Sequence, residues 1–326
     1  MAMDSLKTDF TRQFDVKYPI ICAPMFLVSS VKMVVGASES GGVGTFPALN
    51  FRPIEKYCQV IKEIKSLTAK PFGINIIVQK SNKYQYQQID HALEERVPLI
   101  ITSLGNPKEV IRLSHQVGTK VYCDVVGFEH AKKVADLGAD GLIAVGFGAG
   151  GHAGDISPFA LIPNLVRTIK LPVLAAGSIV DGAGMAAAFA LGASAVYIGT
   201  RFIASQEAEV SENYKDAIMH AASEDIVNTD KVDGFPGNFI RTKELEAIGL
   251  KKGLIEEILS KSKKIKRFIA LSRAARSLLG GVDSKVSYQT VYSAGHGVGL
   301  IDKVLSIQQI MEKIVTEYQE IKAQLP

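Results

Sequence analysis

The residue best placed to do chemistry in this sequence is His152. It lies in Gly146-Phe-Gly-Ala-Gly-Gly-His152-Ala-Gly154, directly after the apolar run Gly141-Leu-Ile-Ala-Val145. An apolar run of that length reads as a buried strand, so the imidazole is carried by a glycine-rich loop at a strand's C-terminal end. Glycine lets a backbone approach a flat or anionic ligand closely and tolerates positive φ. A neutral imidazole can take or hold a proton near neutral pH. A second loop of the same kind, Tyr292-Ser-Ala-Gly-His-Gly-Val-Gly299, carries His296. His91, His115, His130 and His220 fall on predicted helices and read as solvated. The spacing of Asp, His and Glu offers no metal triad.

A loop at a strand end needs a scaffold, and the chain supplies a regular one. Short Val- and Ile-rich runs alternate with amphipathic segments about every 25 residues, the pattern of parallel βαβ units. Strands are predicted over Tyr18–Pro24, Gly41–Phe46, Pro71–Val78, Pro98–Thr102, Lys120–Val126, Gly141–Val145, Leu171–Ala176 and Ala195–Gly199. Between them lie helices over Val31–Ser40, Pro53–Leu67, Tyr84–Glu95, Asn106–Val117, Glu129–Leu137, Pro158–Ile169 and Asp181–Leu191, with Asp181 as an N-cap. Eight such units in about 200 residues predict an α/β chain closed into a (β/α)8 TIM barrel; an open doubly wound sheet is the competitor. A polar lead up to Lys17 carries no predicted element. From Gln206 to Leu279 charged helical segments replace strand signals, and a last helix runs from Ser306 to Lys322. The chain therefore divides into a barrel over 1–205 and 285–326, and a helical insertion over 206–284 that covers the barrel mouth.

In such barrels the loops after strands seven and eight often hold a phosphate. Here they are Ala175-Ala176-Gly177-Ser178-Ile179 and Gly199-Thr200-Arg201, with Ser178 and Thr200 as hydroxyl donors and a helix N-terminus behind. The other side of the mouth is left for a ring: Ala23-Pro24-Met25 follows the first strand, and Asn75 interrupts the apolar third strand with an amide that needs partners.

The remaining composition narrows the class. No run reaches the roughly 18 apolar residues of a membrane span, and the first ten residues lack a signal-peptide core. Three scattered cysteines (Cys22, Cys58, Cys123) read as free thiols in a cytoplasmic protein. A net charge of +4, concentrated at Lys261–Arg267 without interleaved aromatics, points away from nucleic acid.

Taken together, Pro19–Met25, Gly41–Gly44, Pro71–Asn75, Thr102–Pro107, Ala149–His152, Ala175–Gly177, Gly192-Ala193, Gly199–Phe202 and Ser293–Gly295 resemble the nitronate monooxygenase family, formerly 2-nitropropane dioxygenases. These are FMN-dependent TIM barrels related to flavin-type enoyl-ACP reductases. The resemblance implies FMN, with its phosphate on Gly177, Ser178, Gly199 and Thr200 and with Ala176 also binding the cofactor. It implies an isoalloxazine over Ala23, Pro24 and Met25, near Asn75, Asp124, Gly150 and Gly151. His152 matches the family's active-site histidine, as base or as anion-positioning group, and His296 would join it on the substrate. The implied reaction is oxidation of an alkyl nitronate, or of a nitroalkane, by O2 to a carbonyl compound and nitrite. NAD(P)H-dependent reduction of an enoyl thioester and a non-redox phosphate- or flavin-binding barrel are the alternatives. Use of NAD(P)H and pairing into a homodimer stay open. The sequence departs from the family pattern at Gly148, where Glu is usual, at Asp124, where Gln or Lys is usual, and at His296, where Gln is usual.

Overall fold

The computed structural model describes residues 6–79, 81–232, 234–249 and 291–325. Eight parallel strands close into a barrel in chain order: β1 Ile20–Cys22, β2 Val43–Pro47, β3 Phe72–Ile77, β4 Leu99–Ser103, β5 Lys120–Val125, β6 Gly141–Val145, β7 Val173–Ala176 and β8 Ala195–Ile198. Closure is complete, since Ile21 of β1 stands beside Val43 of β2 and beside Tyr197 of β8. The outer layer is α2 Val31–Glu39, α3 Ile54–Leu67, α4 Gln85–Glu94, α5 Lys108–Val117, α6 Phe128–Asp136, α7 Pro158–Thr168 and α8 Gly182–Ala190. The expected barrel is thus present, and the open sheet is excluded. Most boundaries fall within two residues of the predicted ones; β1 is shorter, its flanks Tyr18-Pro19 and Ala23-Pro24 lying outside the ladder.

Pleating sorts the side chains of each strand. Ile21, Val43, Leu99, Ile101, Tyr122, Ile143 and Leu174 fill the barrel interior. Their neighbours, such as Ile100, Val121, Cys123, Leu142 and Val173, face the helices. The interior is therefore packed, and a ligand site is confined to the strand ends.

The polar lead hides an element that the sequence reading lacked. Residues Asp9–Phe14 form α1, with Thr8 and Thr11 exchanging side-chain and backbone hydrogen bonds as a capping box. Its buried Phe10 and Phe14 meet Tyr122 edge-on from within the interior cluster, closing one end of the barrel. The signal was Thr8 three residues before Thr11 with two phenylalanines four apart, a pattern too short to score as periodic.

After β8 come α9 Thr200–Ile203 and α10 Glu212–His220, and the stretch that follows, expected to be helical, instead contains an antiparallel ribbon. Its strands are β9 Ile226–Thr229 and β10 Gly237–Ile240. Ile-Val-Asn-Thr is β-branched at three of four positions, and Gly234, Pro236 and Gly237 break any helix, so strand chemistry wins locally over charge. Helix α11 Lys243–Ile248 follows. The rest of the expected insertion, including Lys261–Arg267 and Gly280-Gly281, lies outside the described residues. The last helix, α12 Ile307–Gln324, is capped by Ser306 and Gln309 and buries Ile307, Ile310, Met311, Ile314 and Val315. It crosses α8 so closely that a Cβ on Gly182 would overlap the backbone of Tyr318. No helix among the described residues is long and apolar enough to cross a membrane.

Candidate active site

The loop that carries His152 is tied down on both sides. Phe147 N–H donates to Ile156 O at 2.7 Å, pinching the loop at its base. At its far side β10 clamps it: Asn238 N–H donates to Gly151 O at 2.8 Å and Gly151 N–H returns to Asn238 O at 3.2 Å. The buried Asn238 side chain adds Nδ2 to Ala149 O at 2.7 Å, and its Oδ1 accepts from Asn228 Nδ2 at 2.9 Å. This residue was not legible as functional in the sequence. Asn238 lies in a segment expected to be helical, 86 positions from His152, and only the ribbon brings it there. His152 itself is exposed and meets Phe235, in the β9–β10 connection, edge to face at 5.8 Å.

The second glycine loop packs into the first. His296 N–H donates to Gly148 O at 3.0 Å, and a Cβ on Gly150 would stand only 3.0 Å from Gly295 N. The His296 ring lies 4.9 Å from that of Phe147, and its Nδ1 is buried without a hydrogen-bond partner. His296 and His152 thus belong to one assembly but have different ring neighbours. Thr200 Oγ1 accepts from Gly295 N–H at 3.0 Å, which joins the strand-eight loop to the same assembly. Gly177 (φ 122°) and Ser178 (φ 55°) are successive residues in left-handed backbone, and Ser178 Oγ points at Gly148. A side chain at Gly148, itself at φ 91°, would overlap that hydroxyl, which gives a physical reason for the missing glutamate. One expectation changes: the N-terminus of α8 is already occupied, because Asp181 accepts from Gly184 N–H and Glu317 from Gly182 N–H. An anion at Ser178 would be met by the loops rather than by that helix. Met25 and Ala23 approach Gly199, with Sδ 3.6 Å from where its Cβ would be.

Facing the mouth from inside the barrel is a polar chain across β3, β4 and β5. Asn75 Nδ2 donates to Ser103 Oγ at 2.6 Å, and the Ser103 hydroxyl donates to Asp124 Oδ2. Asp124 Oδ1 is buried and accepts nothing. Burial pushes this carboxyl up to about 6, against the opposing pull of the Ser103 hydrogen bond. Its neighbour Cys123 faces the helices instead of the mouth, and burial raises its thiol to about 12. All three cysteines are free, and neither Cys22 nor Cys123 has nucleophilic character.

The outlying histidines are not uniformly solvated. His115 and His220 are exposed, but His91 is largely covered, lies against Tyr57 and buries an unpartnered Nε2, because α4 turns that face onto α3. His130 is half-buried, and its pKa falls through burial and Lys133.

Around this assembly the strand-end loops expose large apolar side chains: Leu27 after β1, Leu104 after β4, Val126 after β5, Phe147 and Ile156 after β6. Leu27 and Leu104 do so from positive φ (58° and 54°), a backbone state that costs a branched residue energy and marks a constrained loop.

A family model described as nitronate monooxygenase matches residues 7–86 and 78–317, which is nearly the whole chain. The chain belongs to the nitronate monooxygenase family. As a family member it is an oxidoreductase. A (3aS,4S,5R,7aS)-5-hydroxy-7a-methyl-1-oxo-octahydro-1H-indene-4-carboxyl-CoA dehydrogenase of Rhodococcus jostii (strain RHA1) is 29% identical, covering 97% of this chain and 96% of the relative. A probable nitronate monooxygenase of Staphylococcus aureus (strain MSSA476) is 28% identical, over 77% and 83% of the two chains. Among solved structures, FabK from Thermotoga maritima superimposes with a TM-score of 0.84 at 32% identity, covering 98% of each chain. The family assignment made from short motifs is therefore correct.

Proposed function

We propose that this enzyme uses FMN and brings its substrate to His152 at the barrel mouth. The observation that carries the reading is the packing of the His152 loop, the Gly177-Ser178 loop and the Gly295-His296 loop into one assembly with no room for extra side chains. Such close backbone approach suits a phosphate ester and a planar ring, and the partnerless His296 Nδ1 and Asp124 Oδ1 fit a ligand rich in donors and acceptors. Ser178 and Thr200 would hold the phosphate. Ala23, Pro24, Met25 and Gly199 would bound the ring, with Asn75 and Asp124 at its edge and Gly150 and Gly151 beside it. The flavin, when bound, accepts two electrons and passes them on.

The chain's own residues would do the rest. His152 would take an α-proton from a nitroalkane, or position an already anionic nitronate, and Asn238 would keep its loop in place. With O2 as oxidant, the products are a carbonyl compound and nitrite.

A second substrate class has a specific observation in its favour. Leu27, Leu104, Val126, Phe147 and Ile156 expose large apolar side chains at the strand ends, a rim suited to an apolar acyl group. The Rhodococcus relative is named for a carboxyl-CoA substrate. An enoyl thioester, with NAD(P)H as reductant, would use that rim. Parallel assays decide between the two. Nitrite release from a nitronate under O2 supports the first reading, and NAD(P)H oxidation that requires an enoyl thioester supports the second. In either case His152→Ala is expected to lose most turnover while retaining flavin. Equal turnover in that variant would remove His152 from the mechanism. Loss in His152→Ala but not in His296→Ala would show that the two histidines share no role.

A further inference from the structure

The Asn75–Ser103–Asp124 chain does more than brace three strands. Its two hydrogen bonds run in one direction, amide to hydroxyl to carboxylate, and end on a carboxyl whose other oxygen is buried and unused. A carboxylate left with an empty acceptor in a packed barrel is costly, and a carboxylic acid there has a hydrogen to give. Among the described residues, the groups that act on it are neutral. Ser103 and Asn75 come from β4 and β3, and Tyr197 from β8 is kept protonated by burial and by the Asp124 charge itself. Cys22 and Cys123, raised thiols, lie behind on β1 and β5. Among the described residues, no lysine, arginine or histidine pairs with Asp124.

We propose that Asp124 is the proton reservoir of the mouth: ionised when the site is neutral, it takes a proton from solvent when negative charge arrives on the bound flavin, and releases it when that charge leaves. The inference rests on the flavin reading above. The step is balanced simply. Two electrons go to the flavin from the nitronate or NAD(P)H of that reading, or from a sacrificial amine in photoreduction; one O–H bond breaks in a solvent hydronium ion, leaving water, and one forms on Asp124. An arrangement with the glutamine or lysine usual in the family could not do this, since one has no titrating group and the other supplies a standing positive charge. Burial supports the assignment, because it holds the carboxyl close to neutral pH, where a modest change in field moves the proton.

The test is reduced-minus-oxidised infrared difference spectroscopy on the FMN-loaded protein during photoreduction at pH 7.5. A protonated-carboxyl C=O band is expected to appear on reduction, to shift in D2O and to be missing in Asp124→Asn. In Ser103→Ala, which removes the donor that favours the charged form, the acid form extends to higher pH. More of the carboxyl is then already protonated before reduction, so the difference band should shrink at pH 7.5 and recover at higher pH. A wild-type protein that binds FMN and shows no carboxyl band, or a band that survives in Asp124→Asn, overturns the inference alone. A protein that binds no FMN overturns the flavin reading, and this inference with it.

Discussion

Adding one methyl group at Gly148 should reveal how tightly the two glycine loops are fitted. Gly148 sits at φ 91°, where a side chain costs roughly 1–2 kcal/mol of backbone strain. Its new Cβ would also overlap Ser178 Oγ, while the Ser178 Cβ lies at an ordinary 3.5 Å. The hydroxyl must rotate away and give up its 3.4 Å hydrogen bond to Gly148 O, a further loss of about 0.5–1.5 kcal/mol. Gly148→Ala should therefore destabilise the protein by about 1.5–3.5 kcal/mol. In a Ser178→Ala background the clash is absent, and only the backbone share of about 1–2 kcal/mol remains. The chain has no tryptophan, so urea unfolding is followed by far-UV circular dichroism, with the midpoint shift read at unchanged slope. Equal losses in both backgrounds, or no loss in either, would refute the argument that Ser178 fills the space a side chain at Gly148 would need.

Three further outcomes follow from other parts of the molecule. Phe10→Ala should cost about 3–5 kcal/mol in the same unfolding assay, as a fully buried ring in the interior cluster, and a loss below about 1 kcal/mol would show that α1 is no part of the core. Asn238→Ala should lower turnover more than flavin affinity, because it frees the His152 loop while leaving the Ser178 and Thr200 loops intact; unchanged turnover would show that the loop needs no clamp. The Asp124 carboxyl, at about 6 in the folded flavin-free protein and at the ordinary 3.8 when unfolded, binds its proton more tightly when folded. Its contribution to stability is present below about pH 4 and is lost as pH rises to about 6. A titration of stability against pH should show that loss in the wild type and not in Asp124→Asn, and identical profiles would refute the burial argument.

The barrel was legible because each βαβ unit writes its own period, strand by strand, and Gly141–Val145 is placed to the residue. The strand-end glycines were legible because a close approach admits few other residues. What stayed hidden depended on distant partners. Asn238 gains its meaning from Ala149 and Gly151, and Ser103 from Asn75 and Asp124, and no local pattern encodes either meeting. Helix α1 escaped because six residues are too few to show a period, and His91 because its burial is set by α3 rather than by its own helix. The ribbon β9–β10 was masked by the charge of its surroundings, although its β-branched residues and flanking glycines were in view.

The most direct test of the account is the visible absorption spectrum of the purified protein, with any released cofactor identified by mass. The account predicts a flavin spectrum and the mass of FMN. A colourless protein that remains colourless after FMN is added would contradict it.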